Sequence, residues 1–383
     1  MLVLNAGSST LKVSVVEVES GSRVPGPAMA AITIGLGDDA SRRVYNVTAG
    51  FDAALGGLDA AGGRPDDVMA VAHRVVHGGP AYTTPTVIDD DVLAGIDALA
   101  PLAPLHDPVA ASAIRAARRR LPSVPQVAVF DTAFHSTLPE SARRYPFPTS
   151  WDAWGIRRYG FHGLSVTWSI ERASQLLERP MADLGLVVAH LGNGCSVTAV
   201  AGGRSVATSM GMTPLEGLMM GTRAGSVDPG ILLAVLRDHR LTVDELADAL
   251  DHGSGLLGVS GSSADMRTLQ AASDSGDAAA TLAIAMFVER AAAGIGAAAM
   301  SLRHLDGVVF TGGIGEHAGT VRAAIVDRLA VLGVAPVAAD ETGSDRVLGG
   351  GLGTPAVMRI EAREDVVAGR AAVDVVEGGR PPP

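Results

Sequence analysis

Short apolar runs alternate with longer amphipathic stretches along most of the chain. LVLN, KVSVVEV, AVAHRVV, QVAVFD, LGLVVAHL, SVTAVA, RSVAT, GVVFTG and AVMRI are rich in β-branched residues and bounded by turn residues, which predicts strands. A helical period is expected around residues 90–100, 107–120, 164–178, 229–240, 243–252, 278–303, 318–331 and 363–376. Alternation of the two classes predicts an α/β fold. The richest apolar stretch, TLAIAMFVERAAAGIGAAAMSL, is interrupted by Glu289 and Arg290 and is expected to be a buried helix, not a membrane span. The tail GGRPPP is expected to fray.

One internal similarity bears on domain organisation. LVLNAGSSTLKVSVV and LVVAHLGNGCSVTAV each run strand, small polar turn, strand, and they lie about half a chain apart, as a duplicated domain would place them. Of three asparagines in the chain, two, Asn5 and Asn193, stand in these turns. Lys12, the only lysine against 29 arginines, follows the first turn. Small residues let backbone N–H groups approach an anion closely. Either turn alone is equally a plain hairpin, whereas the pair together with the lone lysine points to phosphate. A third glycine-rich turn, FTGGIGEHAG at 310–319, leaves a buried strand and enters a helix, which puts a helix N-terminus at an anion. Its spacing is not GxGxxG, and no GxxxxGK[ST] occurs, so neither a Rossmann turn nor a P-loop is indicated. Three such turns from two half-chains imply a nucleotide in a cleft between domains.

Composition narrows the function classes. The length of 383 residues and 47% apolar content suffice for two cores, and the net charge of -11 gives no general pull toward nucleic acid or anionic membrane. The cluster RAARRR at 115–120 reads most simply as a solvated helix end. Cys195 is the single cysteine, which excludes an intrachain disulfide and fits a reducing, cytoplasmic compartment. MLVL is too short for a signal peptide, and Asn5 interrupts it.

His73, His77, His106, His135, His162, His190 and His317 fall in short polar motifs. Taken singly, such a histidine is more often a structural hydrogen-bonder than a catalyst. Their neighbours matter more. HRVVHGG puts Arg74 at a strand end, VFDTAFH ends a strand on Asp131, and RRYGFHG and MMGTRAGSVDPG add His162 and Arg223 in glycine-flanked turns. Arginines and a histidine facing one or two carboxylates suit phosphoryl transfer, where catalysis is mostly charge neutralisation and alignment. No HExxH and no GxSxG is present, so neither a histidine-based metal site nor acyl hydrolysis is indicated.

Together NAGSSTLK, HRVVHGG, APLHDP, FDTAFH, RRYGFHG, AHLGNG, TSMGMTPLEGLMMGTRAG, SGLLGVSGSSADMR and FTGGIGEH closely resemble the acetate kinase family, from Leu2 to about Arg370. The resemblance implies ATP + acetate ⇌ ADP + acetyl phosphate, with Mg²⁺, or Mn²⁺ in its place, in a cytoplasmic homodimer without nucleic-acid or membrane partners. It also implies duplicated ribonuclease H-like (actin-like ATPase) domains, the first spanning 1–131 plus 364–383 and the second, with most nucleotide contacts, 132–363. By the same resemblance Asn5 and Glu364 are associated with the metal and Lys12 with phosphate. Arg74 anchors the substrate carboxylate, Asp131 is the active-site acid, and His162 and Arg223 stabilise the transition state. His190, Leu191, Gly192, Asn193 and Gly194, with Asp265, Met266 and Arg267, and Gly313, Ile314, Gly315, Glu316 and His317, are implied nucleotide contacts. Val76, Leu105 and Pro214 enclose the acetate methyl group.

Acetate is already an anion at neutral pH and needs no base. Asp131 is therefore expected to orient magnesium or its waters, or to hold a cationic side chain. The chain departs from the family pattern at Ser226, Asp107, Arg363 and His317, where Asp, Asn, Asn and Asn are usual. A cation at Arg363 would compete for the Glu364 carboxylate. A propionate or other short-acyl kinase shares these motifs. An ATP-driven binding protein of the actin and chaperone kind shares the hairpins, but has no reason to keep HRVVHGG, RRYGFHG and the Arg223 turn together.

Overall fold

The computed structural model describes residues 1–6, 10–16, 28–35, 40–60, 67–340, 343–351 and 353–378. The tip of the first glycine turn, Gly7 to Ser9, and the end of the tail, 379–383, lie outside the described residues.

In chain order the first elements are β1 (Leu2–Ala6), β2 (Thr10–Val16), β3 (Ala28–Gly35), α1 (Ala40–Ala60), β4 (Val71–Val75), β5 (Thr86–Val87), α2 (Asp90–Ala98), α3 (Asp107–Arg120) and β6 (Gln126–Phe130). Next come α4 (Glu140–Arg143), α5 (Gly163–Leu176), β7 (Gly185–Leu191), β8 (Cys195–Ala201) and β9 (Arg204–Thr208). The helices α6 (Pro229–Asp238), α7 (Val243–His252), α8 (Gly255–Ser260), α9 (Met266–Asp274) and α10 (Ala278–Ala299) follow. The chain closes with β10 (Gly307–Thr311), α11 (Gly312–His317), α12 (Gly319–Arg328), β11 (Arg346–Gly351), β12 (Thr354–Arg359) and α13 (Glu364–Val376).

Two compact units result. The first comprises Met1–Ser136, Phe161–Leu164 and Arg363–Pro383, and the second Thr137–Gly160 and Ser165–Ala362. The first holds a sheet in the order β3-β2-β1-β4-β6-β5, the second one in the order β11-β12-β10-β7-β8-β9. Read from opposite ends, these are the same sheet. Each has an antiparallel three-strand meander, two further strands parallel to its first strand, and an antiparallel strand at the far edge. The duplicated ribonuclease H-like α/β arrangement implied by the sequence is therefore present.

The central parallel strands are buried on both faces, which is why they read as unbroken apolar runs such as GVVFT. Helix starts follow local chemistry. Asp277 caps α10 through the N–H groups of Ala279 and Ala280, and Thr242 with Glu245 forms a capping box on α7. The expected buried helix is α10. It is long and apolar enough by length and composition to cross a membrane, but it packs on α8, α9, α12, β7 and β8 with Phe287, Ala291 and Ile295 buried.

Several elements escaped the periodicity. The glycines of α1 lower its helix propensity, yet Gly50 is used: a Cβ there would lie 2.7 Å from Ile34 Cδ1, so glycine lets α1 sit close on β3. RVLGGG in β11 has too few β-formers to register, and α8 and α9 are too short to show a period.

Phe51 of α1 is fully buried in the core of the first unit. Phe51→Ala should cost about 3–5 kcal/mol, read from the shift of the urea unfolding midpoint. A loss below about 1 kcal/mol would show that α1 does not close this core.

Candidate active site

The parallel strands of the first unit end on polar residues that meet. Parallel pairing of β1 and β4 sets Asn5 beside Arg74, and antiparallel pairing of β1 and β2 sets Asn5 opposite the exposed Lys12. Asp131 follows β6 directly, its N–H donating to Val75 O at 3.0 Å. Helix α13 packs on β1, β4 and β6 and brings its first residue, Glu364, to the same place.

Arg74 joins them. Its Nε donates to both Asp131 oxygens at 3.0 and 3.1 Å, and one terminal nitrogen lies 2.5 Å from Oδ2. The other terminal nitrogen donates to Asn5 Oδ1 at 2.8 Å and lies 3.4 Å from Glu364 Oε2. Asn5 Nδ2 in turn donates to Glu364 Oε2 at 2.9 Å. The Asp131 side chain is wholly buried, whereas those of Arg74 and Glu364 keep 13% and 14% exposure, so the cluster has an open side. Burial works against the Arg74 charge, but Asp131 and Glu364 more than offset it, and its pKa stands above the ordinary arginine value. Burial pushes the Asp131 carboxyl up, against the pull of Arg74 and of the His162 N–H. A guanidinium stays protonated in proteins, so the Arg74 end of the pair is a cation at neutral pH. Of the roles expected for Asp131, holding a cationic side chain is the one the geometry displays.

His162 also grips Asp131 from a strained position. Its φ of 59° is left-handed, uncommon for a residue with a side chain. The next residue donates from Gly163 N to Asp131 O at 3.0 Å, and a Cβ at Gly163 would lie 2.2 Å from that oxygen. Only glycine fits there.

Val76 and His77 follow Arg74 and are held from behind by Asp107, the first residue of α3. Asp107 Oδ1 accepts the His77 N–H at 3.2 Å, and the Val76 N–H also faces this carboxyl. Its Oδ2 is buried without a hydrogen bond. Burial raises the Asp107 pKa to about 8, the nearby Asp131 charge adds to the rise, and the two N–H groups oppose it. Leu105 is half-buried just ahead.

In the second unit the expected nucleotide stretches converge. The turn after β7 and the start of α11 touch: a Cβ at Gly312 would lie 2.9 Å from Leu191 O and 3.1 Å from His190 Nε2, and one at Gly192 3.8 Å from Gly313 N. His190 Nδ1 lies 2.9 Å from Ser165 Oγ. Asn193 reaches the loop before Arg223, where Gly221 N donates to Asn193 O at 3.1 Å and a Cβ at Gly221 would meet Asn193 Oδ1 at 2.2 Å. Ala264 lies beside the same spot, just before Asp265. Two side chains in these stretches are engaged internally. Asp265 caps α9 and pairs with Arg267 at 3.0 Å, and Met266 is buried. Glu316 Oε1 accepts Gly312 N–H at 2.8 Å and Ala362 N–H at 2.9 Å, while Gly194, Gly313, Ile314 and His317 keep exposed or half-exposed positions and Gly315 is buried.

Arg223 is 8% exposed, and its terminal nitrogen donates to Pro214 O at 2.6 Å. Among the described residues no carboxylate lies within ion-pair distance of it, and burial lowers its pKa. A buried cation of this kind is costly until an anion meets it.

Some supporting residues were not singled out from the sequence. Arg158 donates to Glu216 Oε1 at 2.6 Å and to the carbonyls of Ser209 and Met210 at 2.9 Å, while Tyr145 donates to Glu216 Oε2. Together they pin the loop carrying Pro214. The available signal was a charge inside each of two glycine-rich motifs, RRYGFHG and TPLEG.

The buried carboxyl of Asp107 gives a pH test. Its folded pKa lies above the unfolded value of 3.8, so its contribution to stability is intact below that value and is lost progressively as pH rises to about 8. Asp107→Asn should therefore gain stability over the parent by up to about 1.4 kcal/mol per pH unit between pH 5 and 8, and no further above about pH 9. Denaturant unfolding at several pH values checks this. A difference independent of pH would mean that Asp107 ionises normally.

The acetokinase family profile matches residues 1–370. The chain is 44% identical to an acetate kinase of Deinococcus radiodurans over 398 aligned residues, covering 99% of this chain and 98% of that protein. A crystal structure of acetate kinase from Porphyromonas gingivalis superposes with a TM-score of 0.84 at 32% identity, covering 98% of this chain and 99% of the other. One of a propionate kinase from Francisella tularensis gives 0.85 at 35% identity, covering 97% and 98%. With a family match over nearly its whole length, the chain belongs to the acetokinase family.

Proposed function

We propose that this protein is an acetate kinase that transfers the terminal phosphoryl group of ATP to acetate, and the reverse. The observation that carries the reading is Arg223, a buried guanidinium with a backbone carbonyl as its hydrogen-bond partner and no carboxylate within ion-pair distance among the described residues. It suits a transferring phosphoryl group, whose charge is shared among three oxygens.

The first unit supplies the carboxylate end. Arg74, oriented by Asp131 and Asn5, presents its remaining donor capacity to acetate, with Val76 and Leu105 against the methyl group; Pro214 is added to this apolar set by the family resemblance alone. Acetate attacks as the anion it already is, so Asp131 serves by fixing Arg74 rather than by removing a proton. His162 and Arg223 follow charge onto the phosphoryl oxygens. In the second unit His190–Gly194, Asp265–Arg267 and Gly313–His317 hold the nucleotide, mainly through backbone, since Glu316 and Asp265 are turned to backbone N–H groups. Lys12 contacts phosphate. The two units act as the two actin-like ATPase domains, with limits near 131 and 364.

Asn5 and Glu364 fit a hard divalent cation such as Mg²⁺. Asn5 Oδ1 already accepts from Arg74, so its second lone pair and the partly exposed Glu364 carboxylate are what a cation would meet, with waters and substrate phosphates as its other ligands. The Arg363 guanidinium pairs with Asp365 at 3.0 Å. The cation would neutralise charge on the phosphates. The protein works as a cytoplasmic homodimer, as the family resemblance implies, with no nucleic-acid or membrane partner.

Incubation with ATP, Mg²⁺, acetate and hydroxylamine should yield acetyl hydroxamate, and folded protein giving none would sink the kinase reading. Arg223→Ala should lose about 10³-fold or more in kcat with little change in acetate KM. A change confined to KM would make Arg223 a binding residue only.

Acetate should be preferred over propionate by some 10–200-fold in kcat/KM, because a methylene added against Val76 must displace packed atoms. A preference for propionate would instead favour the short-acyl alternative, which likeness to the Francisella protein keeps in view.

A further inference from the structure

We propose that Asp107 is a positioning residue which makes acetate binding proton-coupled, so that the substrate carboxylate enters together with a proton held on Asp107. The inference rests on the acetate kinase reading and goes beyond it.

The geometry is specific. Asp107 lies behind the backbone of Val76 and His77, two and three residues beyond Arg74, and receives their N–H groups. One of its oxygens is buried without a hydrogen bond, a poor setting for a full negative charge and a tolerable one for a neutral acid. Asp131 and Glu364 already set two carboxylates against the single guanidinium of Arg74. An incoming acetate would be a third, and an ionised Asp107 adds like charge to the group through Asp131.

Among the described residues, no ion pair joins Asp107 to a cation of the elements packed on α3. From the end of β6, Asp131 acts on it with like charge, and the Arg74 of β4 is bound to Asp131. His73 of β4 pairs with Gln126 at 2.8 Å, and the His77 ring accepts the Gly79 N–H at 2.8 Å through Nδ1. On α2 and α1, Asp90, Asp97 and Asp52 pair with Arg118, Arg115 and Arg120 of α3 itself, and β1 contributes the neutral Asn5. On Asp107's own element, His106 is adjacent. With a carboxyl pKa near 8, a further anion brought to Arg74 favours the protonated form more.

The test is acetate binding by calorimetry at pH 8.5 in two buffers of different ionisation enthalpy, with acetate and ATP KM measured from pH 6.5 to 9.5. The parent should take up a measurable fraction of a proton per acetate bound. Its acetate KM should rise on the order of tenfold across pH 8 to 9.5, while the ATP KM does not follow. Asp107→Asn keeps an oxygen for the His77 N–H and cannot ionise, so proton uptake should vanish and its acetate KM should lose that rise. Uptake of no proton by the parent overturns the proposal whether or not the variant folds, as do parallel KM profiles in the two proteins. Failure of the functional reading looks different, because the parent would then form no acetyl hydroxamate at any pH.

Discussion

The first unit is organised by the bidentate pair of Arg74 and Asp131. A buried charge pair is a weak source of stability, because the desolvation of two ions offsets most of their attraction. What it supplies here is register. Arg74 belongs to β4, Asp131 to the end of β6, Asn5 to β1 and Glu364 to α13, and the planar fork of one guanidinium satisfies three of these only if all four elements end at the same level. A lysine could not reproduce the fork. The strained His162 and the obligatory Gly163 are a consequence, since two successive N–H groups must turn onto Asp131 at once.

Arg223 shows the opposite strategy. Its guanidinium donates to a carbonyl and makes no ion pair among the described residues; burial lowers its pKa against the pull of Cys195 and Asp251, while that of Arg74 rises. The Asp251 carboxylate and Cys195 act on it electrostatically but do not offset its burial. Its loop is held elsewhere instead. Met220 N bonds to Arg223 O, Leu256 N bonds to Met220 O, and Gly255 with a φ of 63° leaves no room for a side chain against these carbonyls.

Much of this was legible in the sequence. The central strands, the duplicated hairpins and the strand-end motifs were readable because a doubly buried strand must be apolar and a ligand must meet it at its end. Helix α1 and strands β3 and β11 were not, since their glycines and alanines leave no period, although Gly50 lets α1 sit close on β3. Within the site the residue types announced charge chemistry, but sequence alone could not show which donors were already taken. Arg74 reads equally as a free anchor or as the partner of Asp131, and Glu316 as a ligand contact or as an acceptor for two backbone N–H groups.

Asp107 marks where that limit matters most. In the sequence it differs from the usual asparagine by one atom and keeps the same size, so packing arguments treat the two as equal. In the fold that atom is a buried oxygen without a partner, close to another carboxylate. An amide there would carry no charge at any pH, whereas an acid carries one whenever its proton leaves. The substitution therefore changes little in the shape of the site and much in how its charge responds to pH and to a bound anion.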